Sequence, residues 1–310
     1  MTYPYERRLD TTSIFTPDGR EYAIDGGGGR WILQDGEYGN PPTEYITQRG
    51  PFQHGESVLS YWLRPRPLQL TIRYKGRSRA DYWNHRAELL DILRPNRSLA
   101  INSSQFRLRK NLANGTKREI LIVPDSTPTF PAPDQGQWDA FGFTDVLRFM
   151  AYDPTWYDPT LKSADFQTVT DYVSVDFPPG YTLHSGDFLK VAEVGVQGTW
   201  LAFPTIVITG PISNPAIYNA STGQIIHVGG GALGSGDTMT FDLRYGYKTV
   251  VENDGTNRLP DISDDSDLVG FHLGPNPEVA DGLNTIYVHG TGQSGLTSAS
   301  LTWQDRFLGI

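Results

Sequence analysis

Glycine and proline interrupt this chain so often that only one stretch is free to run as a helix. Gly (33) and Pro (22) make up 55 of 310 residues, about 18% against about 12% in average usage. Between them stand short apolar, β-branched and aromatic runs, each closed by Gly, Pro, Asn or Asp. A chain punctuated in this way is expected to be mainly β and cannot be a helix bundle. Hydrophobic residues are 38% and aromatics 12% of the sequence, enough for packed cores, so disorder is excluded as the overall state.

The exception begins at Ser78, a good N-cap, with Asp81 three residues on in capping-box position. Tyr82, Arg86, Leu89, Leu90 and Leu93 follow at helical spacing around Ala87, and Pro95 stops the run. A helix is therefore predicted over Arg79–Leu93, directly after a strand at Leu68–Tyr74. Further strands in the first half are predicted at Tyr22–Ile24, Arg30–Leu33, Tyr45–Thr47, Leu99–Ile101, Gln105–Arg109, Glu119–Val123 and Trp138–Tyr152. The second half reads as all-β, with strands at Leu201–Thr209, Gly223–Val228, Thr238–Leu243, Tyr247–Val251, Leu268–Leu273, Thr285–His289 and Ala299–Trp303. Short strands separated by turn signals predict a β-sandwich there.

Charge marks the same division. Residues 1–160 carry 20 Lys+Arg against 19 Asp+Glu, a balance of +1, while 161–310 carry 6 against 16, a balance of −10. Two domains, 1–160 and 161–310, are expected. The acidic half repels phosphate, so direct nucleic-acid binding is not expected. No apolar run reaches the length of a membrane span, and MTYPYERRLD lacks an apolar h-region, so neither membrane insertion nor a secretory signal is expected. There is no cysteine, which removes disulfides, thiolate nucleophiles and Cys-ligated metals.

Motifs for chemistry fail on context. Gly229-Gly-Gly-Ala-Leu-Gly234 matches G-x-G-x-x-G, but a strand rather than a helix follows, so it reads as a hairpin loop. Gly26–Gly29 lacks the Lys-Ser/Thr of a P-loop and reads as a turn or a close approach to a neighbouring subunit. Asp261, Asp264, Asp265 and Asp267 form the densest carboxylate cluster. The EF-hand template fails at Val269 and Asn276, leaving an acidic surface turn, with a non-EF calcium loop as the alternative. The histidines His54, His85, His184, His227, His272 and His289 form no H-x-x-x-H pair, and there is no G-x-S-x-G elbow. No catalytic residue, cofactor or metal ligand is assigned, and an enzyme is not expected. Arg64, Arg66, Arg73, Arg77 and Arg79, with Lys75, crowd the strand–helix unit. Arginine forks suit the carboxylates of a neighbouring subunit, and these five are the candidate oligomer interface. Trp200, Tyr245 and Trp303 are candidate glycan contacts, beside Tyr218 and Tyr247, against the plainer possibility that they fill the sandwich core.

Several segments carry a resemblance. Arg49-Gly-Pro-Phe-Gln-His-Gly55, Leu63-Arg-Pro-Arg-Pro67, the strand Leu68–Tyr74, the helix ending Leu90-Asp-Ile-Leu-Arg-Pro95, and Asp153-Pro-Thr-Trp-Tyr within Phe149–Asp158 resemble the N-terminal domain of siphophage distal tail proteins. Asn214-Pro-Ala-Ile-Tyr-Asn219, Thr222-Gly223, Gly236–Leu243, Ser266–Leu273 and Trp303–Ile310 are similar to that family's second domain. The resemblance implies a structural virion protein at the tip of a long non-contractile tail. The N-terminal domains would form a belt, a homohexameric ring between the tail tube protein and the tail-tip hub protein that carries host recognition. The C-terminal domain would be a peripheral galectin-like or carbohydrate-module-like sandwich. Implied partners are further copies of the chain, the tube and hub proteins, and the tape measure and receptor-binding proteins, with assembly in the host cytoplasm. The alternative is a carbohydrate-binding or carbohydrate-active β-sandwich protein.

Overall fold

The computed structural model describes residues 10–24, 31–75, 78–94, 105–125, 142–168, 188–230, 232–292 and 294–310. The chain divides into two compact units, Met1–Pro159 with Leu308–Ile310, and Thr160–Phe307. The architecture is mainly β with one α-helix.

The first unit contains β1 (Thr11–Phe15), β2 (Glu21–Ala23), β3 (Trp31–Glu37), β4 (Thr43–Gln48), β5 (Ser57–Leu63), β6 (Arg66–Lys75), α1 (Arg79–Ile92), β7 (Phe106–Asn111), β8 (Lys117–Pro124), β9 (Gly142–Ala151) and β10 (Trp156–Tyr157). Seven of these strands form an antiparallel path, β2-β1-β7-β8-β9-β6-β3. Strand period two explains which side is dry: Leu68, Leu70, Ile72 and Tyr74 of β6 are buried, while Arg73 between them is exposed. Opposite them in register stand Phe149, Leu147 and Asp145 of β9, all buried.

Helix α1 begins where expected. The Ser78 hydroxyl accepts from the Asp81 amide at 3.1 Å. Its buried face is Tyr82, His85, Leu89 and Ile92, with Leu93 also buried just beyond its end. Leu90 is only half-buried. The Tyr74 hydroxyl lies 2.8 Å from Asp81 Oδ2 and 2.9 Å from His85 Nδ1, and the His85 ring stacks on Tyr74 at 4.7 Å. These contacts tie α1 to β6.

The second unit contains β11 (Lys162–Asp165), β12 (Gln167–Thr168), β13 (Phe188–Gly195), β14 (Thr205–Thr209), β15 (Ile212–Asn219), β16 (Gln224–His227), β17 (Ala232–Leu233), β18 (Thr238–Asp242), β19 (Thr249–Glu252), β20 (Leu283–Thr291) and β21 (Ser298–Trp303). One sheet runs β11-β21-β14-β18-β19 and the other β12-β13-β20-β15-β16, with β17 on β15. Ile206, Ile208, Met239, Phe241, Leu301 and Trp303 of the first sheet share one core with Val194, Ile217, Ile226, Ile286 and Val288 of the second. This is a β-sandwich, and each such side chain contributes roughly 1.5–3 kcal/mol by leaving water.

One expectation needs correction, and one is borne out and extended. Leu268–Leu273 is not a strand: it is a turn that ends in an isolated bridge, Leu273 to Ala202. Its buried Phe271 and Leu273 plug the sandwich rather than pair along it. The expected first-half strand at Tyr45–Thr47 is one arm of a longer β4–β5 hairpin. Leu99–Ile101, the start of Trp138–Tyr152, Gly26–Gly29, Gly231, Arg77 and His184 lie outside the described residues.

Candidate functional site

The hairpin β4–β5 pairs with no other strand among the described residues. Its register sets Tyr45 opposite Tyr61, their rings 6.4 Å apart, and Glu44 opposite Trp62. Tyr45, Val58, Leu59, Tyr61 and Trp62 are all exposed. A two-stranded ribbon is marginal by itself in water, and clustered exposed apolar side chains mark an interaction surface.

The tip is built to hold one residue outward. Gln53 accepts from the Gly50 amide at 2.9 Å through Oε1 and donates to Ser57 Oγ at 2.9 Å through Nε2. Its own amide donates to the Gly50 carbonyl at 3.2 Å, and Arg49 Nε donates to the Gln53 carbonyl at 3.2 Å. These bonds fix Phe52 at φ 65°, in the left-handed region a β-carbon disfavours, with the ring 104% exposed. Phe52 thus combines a disfavoured backbone conformation with a ring that nothing among the described residues covers.

The arginine cluster does not act as one patch. Arg64 leaves the hairpin exposed and pairs with Glu44. Arg73 and Arg79 are exposed and make no ion pair among the described residues. Arg66 is the correction: it is 1% exposed, and its Nη2 donates to the Leu308 carbonyl within the same unit. Burial, opposed by the Asp153 carboxylate, lowers its pKa to about 10. Such a side chain holds its own fold together and does not reach a neighbouring subunit.

In the second unit the candidate glycan residues separate. Trp303 is 6% exposed and lies in the sandwich core, so it cannot stack on a sugar. Tyr218 is buried as well. Trp200 is half-buried and bridges to Arg306. Tyr245 is 52% and Tyr247 48% exposed.

What surrounds these tyrosines comes from turns far apart along the chain. The Arg306 guanidinium lies 5.6 Å from the Tyr245 ring and 5.0 Å from the Phe203 ring, and the Lys248 ammonium lies 4.3 Å from that same Phe203 ring. Arg244 lies 4.5 Å from Tyr247. Lys248 sits at φ 53°, and its Nζ is buried without a hydrogen-bond partner. Burial lowers its pKa to about 8; Arg306 pushes the same way, against Asp267 and Asp242. Sequence reasoning missed Lys248 and Arg306, which no local pattern joins.

The acidic segment is occupied with its own turns. Asp261 pairs with Arg258, Asp265 accepts from Ser263, and Asp267 accepts from the Gly270 amide. Among the described residues no cluster of three or more His, Asp or Glu could hold a metal, and no helix is long and apolar enough to cross a membrane.

No protein-family model matches the chain, and no curated protein matches it in sequence. Its fold does match solved structures. The crystal structure of phage SPP1 Dit, described as a paradigm of the hub adsorption apparatus in phages infecting Gram-positive hosts, aligns with a TM-score of 0.62. That alignment covers 96% of this chain and 99% of the other at 13% identity. A chain of the phage p2 baseplate in its activated conformation with Sr aligns with a TM-score of 0.50 at 9% identity, covering 97% and 100%. At such identities the likeness is one of fold.

Proposed function

We propose that this chain is a distal tail protein, a structural component of the tail tip of a long-tailed phage. In this reading Met1–Pro159 closes a homohexameric ring between tail tube and tail-tip hub, and Thr160–Phe307 is peripheral. The observation that carries it is the β4–β5 hairpin: a ribbon with apolar side chains on both faces and a locked Phe52 at its tip, in a chain that has the SPP1 Dit fold over nearly its full length. Such a ribbon is stable when another surface covers it. If the hairpin of one copy covers a different patch on the next, the contact is heterologous, and repetition closes a ring when the rotation fits. Arg73 and Arg79 are free to add charge-assisted bonds to carboxylates across such a seam. The reading assigns the chain no catalytic step.

The test is assembly of the full-length protein, alone and with tail partners, by mass photometry and negative-stain microscopy. Rings of six are expected, and F52A combined with W62A should leave monomers that melt at the parent temperature. A tail-tip reconstruction in which this chain has no cyclic neighbours of its own kind would sink the proposal.

A further inference from the structure

Residues 161–310 hold six Lys and Arg, and three of them, Arg244, Lys248 and Arg306, gather around Phe203, Tyr245 and Tyr247. In a segment with a balance of −10 this concentration of cations stands out. The carboxylates nearby are already engaged. Asp242 takes a two-point pair from Arg244, at 2.9 Å to Oδ1 and 2.6 Å to Oδ2. Asp267 accepts from the Gly270 amide at 2.9 Å and from Gln224 at 3.2 Å. His272, edge-on to Phe203 at 6.4 Å, faces Glu278 at 2.9 Å. Lys248 makes no ion pair among the described residues, and its ammonium shares one aromatic ring with a second cation. Two cations over one ring repel each other, and left-handed backbone at Lys248 adds strain. A fold keeps such a costly arrangement where an external anion relieves it.

We propose that Lys248 and Tyr245 form a binding site for a saccharide bearing a carboxylate or phosphate group, with Arg306, 3% exposed and donating to the Leu201 carbonyl at 3.3 Å, as the fixed charge behind them. The Lys248 ammonium would bond the anion directly, and the buried Arg306 charge adds to the positive potential at that point. The flexible Lys248 stem lets the ammonium swing from Phe203 to meet it. The exposed Tyr245 ring, 5.6 Å from the Arg306 guanidinium, offers a flat apolar face with a polar tip to the sugar ring beside the anion. Apolar exposure here is confined to two tyrosine rings, which suits one sugar unit rather than a protein face, whose apolar core is far broader. Ring assembly plays no part in this site.

The experiment is calorimetric titration of the full-length protein with glucuronate, glucose 6-phosphate, glucose and inorganic phosphate, and separately with a polyglutamate peptide. The two anionic sugars should bind about tenfold or more tightly than either glucose or phosphate. K248M should abolish the preference for anionic over neutral sugar, and K248R should retain it. Should K248M fail to fold, Y245A at an exposed ring serves instead: it should reduce glucose 6-phosphate to the affinity of phosphate alone. Equal binding of glucose and glucuronate, or of phosphate and glucose 6-phosphate in the parent, overturns the proposal. So does absence of binding by all four, or tighter binding of a polyglutamate peptide than of either anionic sugar, which would point to a protein carboxylate. Every outcome is read from sugar affinity, so none changes with oligomeric state.

Discussion

Phe52 and Lys248 each combine left-handed backbone with a side chain that its own unit leaves uncovered or unpartnered, and each predicts a gain in stability on removal. Both have positive φ without being glycine. Phe52 buries nothing in its own unit, so F52G should relieve the left-handed strain and stabilise the monomer by about 1 kcal/mol. The same variant should assemble less well; a urea midpoint that rises while ring formation falls would show both. Lys248 gives a pH test. Its pKa is about 8 in the fold, against 10.5 for a lysine in water. Between those values the unfolded chain holds more protons than the folded one, so stability rises with pH across that window. Below about 8 the buried ammonium is a constant cost. K248M, lacking it, should be more stable than the parent at pH 7, and its advantage should shrink by about pH 9.5. Arg66, lowered to about 10 by burial, titrates in both proteins and cancels in the comparison. A difference in urea midpoint that does not move with pH would contradict this origin.

Helix α1 offers the cleanest comparison among the secondary-structure elements. Leu89 and Ile92 are buried, and Leu90 is turned part-way to solvent. L89A and I92A should each cost about 2–5 kcal/mol through lost burial and a residual cavity, and L90A distinctly less; thermal melts of the three variants check the order. The helix was legible because its signals are local: a Ser78 cap, an Asp81 in place and a proline just beyond. Strand β6 was legible for the same reason. Its period of two also held an unused clue, since Arg66 shares parity with Leu68, Leu70, Ile72 and Tyr74 and so belongs on the buried side. Trp303 likewise shares parity with Ala299 and Leu301. Grouping Arg66 with the exposed arginines overlooks that parity, whereas for Trp303 the core is the plainer expectation and the structure bears it out. Strand β15 was hidden because Ser213-Asn-Pro215 reads as a turn; in the fold it is a bulge, where the register shifts between Ser213 and Ala216 and a proline is tolerated. Strand β5 was hidden because Ser57-Val-Leu-Ser-Tyr-Trp-Leu63 lacks alternation, and the fold leaves nearly all of it exposed. The Lys248–Arg306 group had no sequence signal at all: its members are brought together only when the turn before β19 and the segment after β21 meet at Phe203.

Charge carries the consequences of this division to the proposed six-copy assembly. Six copies of a segment with a balance of −10 would repel strongly if packed about one axis, whereas six copies of a segment near neutrality would not. Separation beyond a Debye length of about 8 Å at physiological salt screens that repulsion. Ring closure by the first unit, with the acidic unit held outward, is therefore the arrangement with the smaller electrostatic cost. It predicts a salt dependence. The full chain should form more rings as ionic strength rises from a few millimolar to about 0.15 M, because screening quiets the acidic copies. A chain of 1–159 joined through a short Gly-Ser linker to 308–310 keeps the Leu308 carbonyl that Arg66 requires. If its association rests mainly on the apolar hairpin, as proposed, with Arg73 and Arg79 adding little, its ring fraction should change little over the same range, because salt does not screen apolar contact. Light scattering across a salt series, with both proteins at equal concentration, reads the contrast directly. Rings formed by 160–307 alone, with the shortened chain remaining monomeric at every ionic strength, would reverse the assignment and move the seam to the acidic unit.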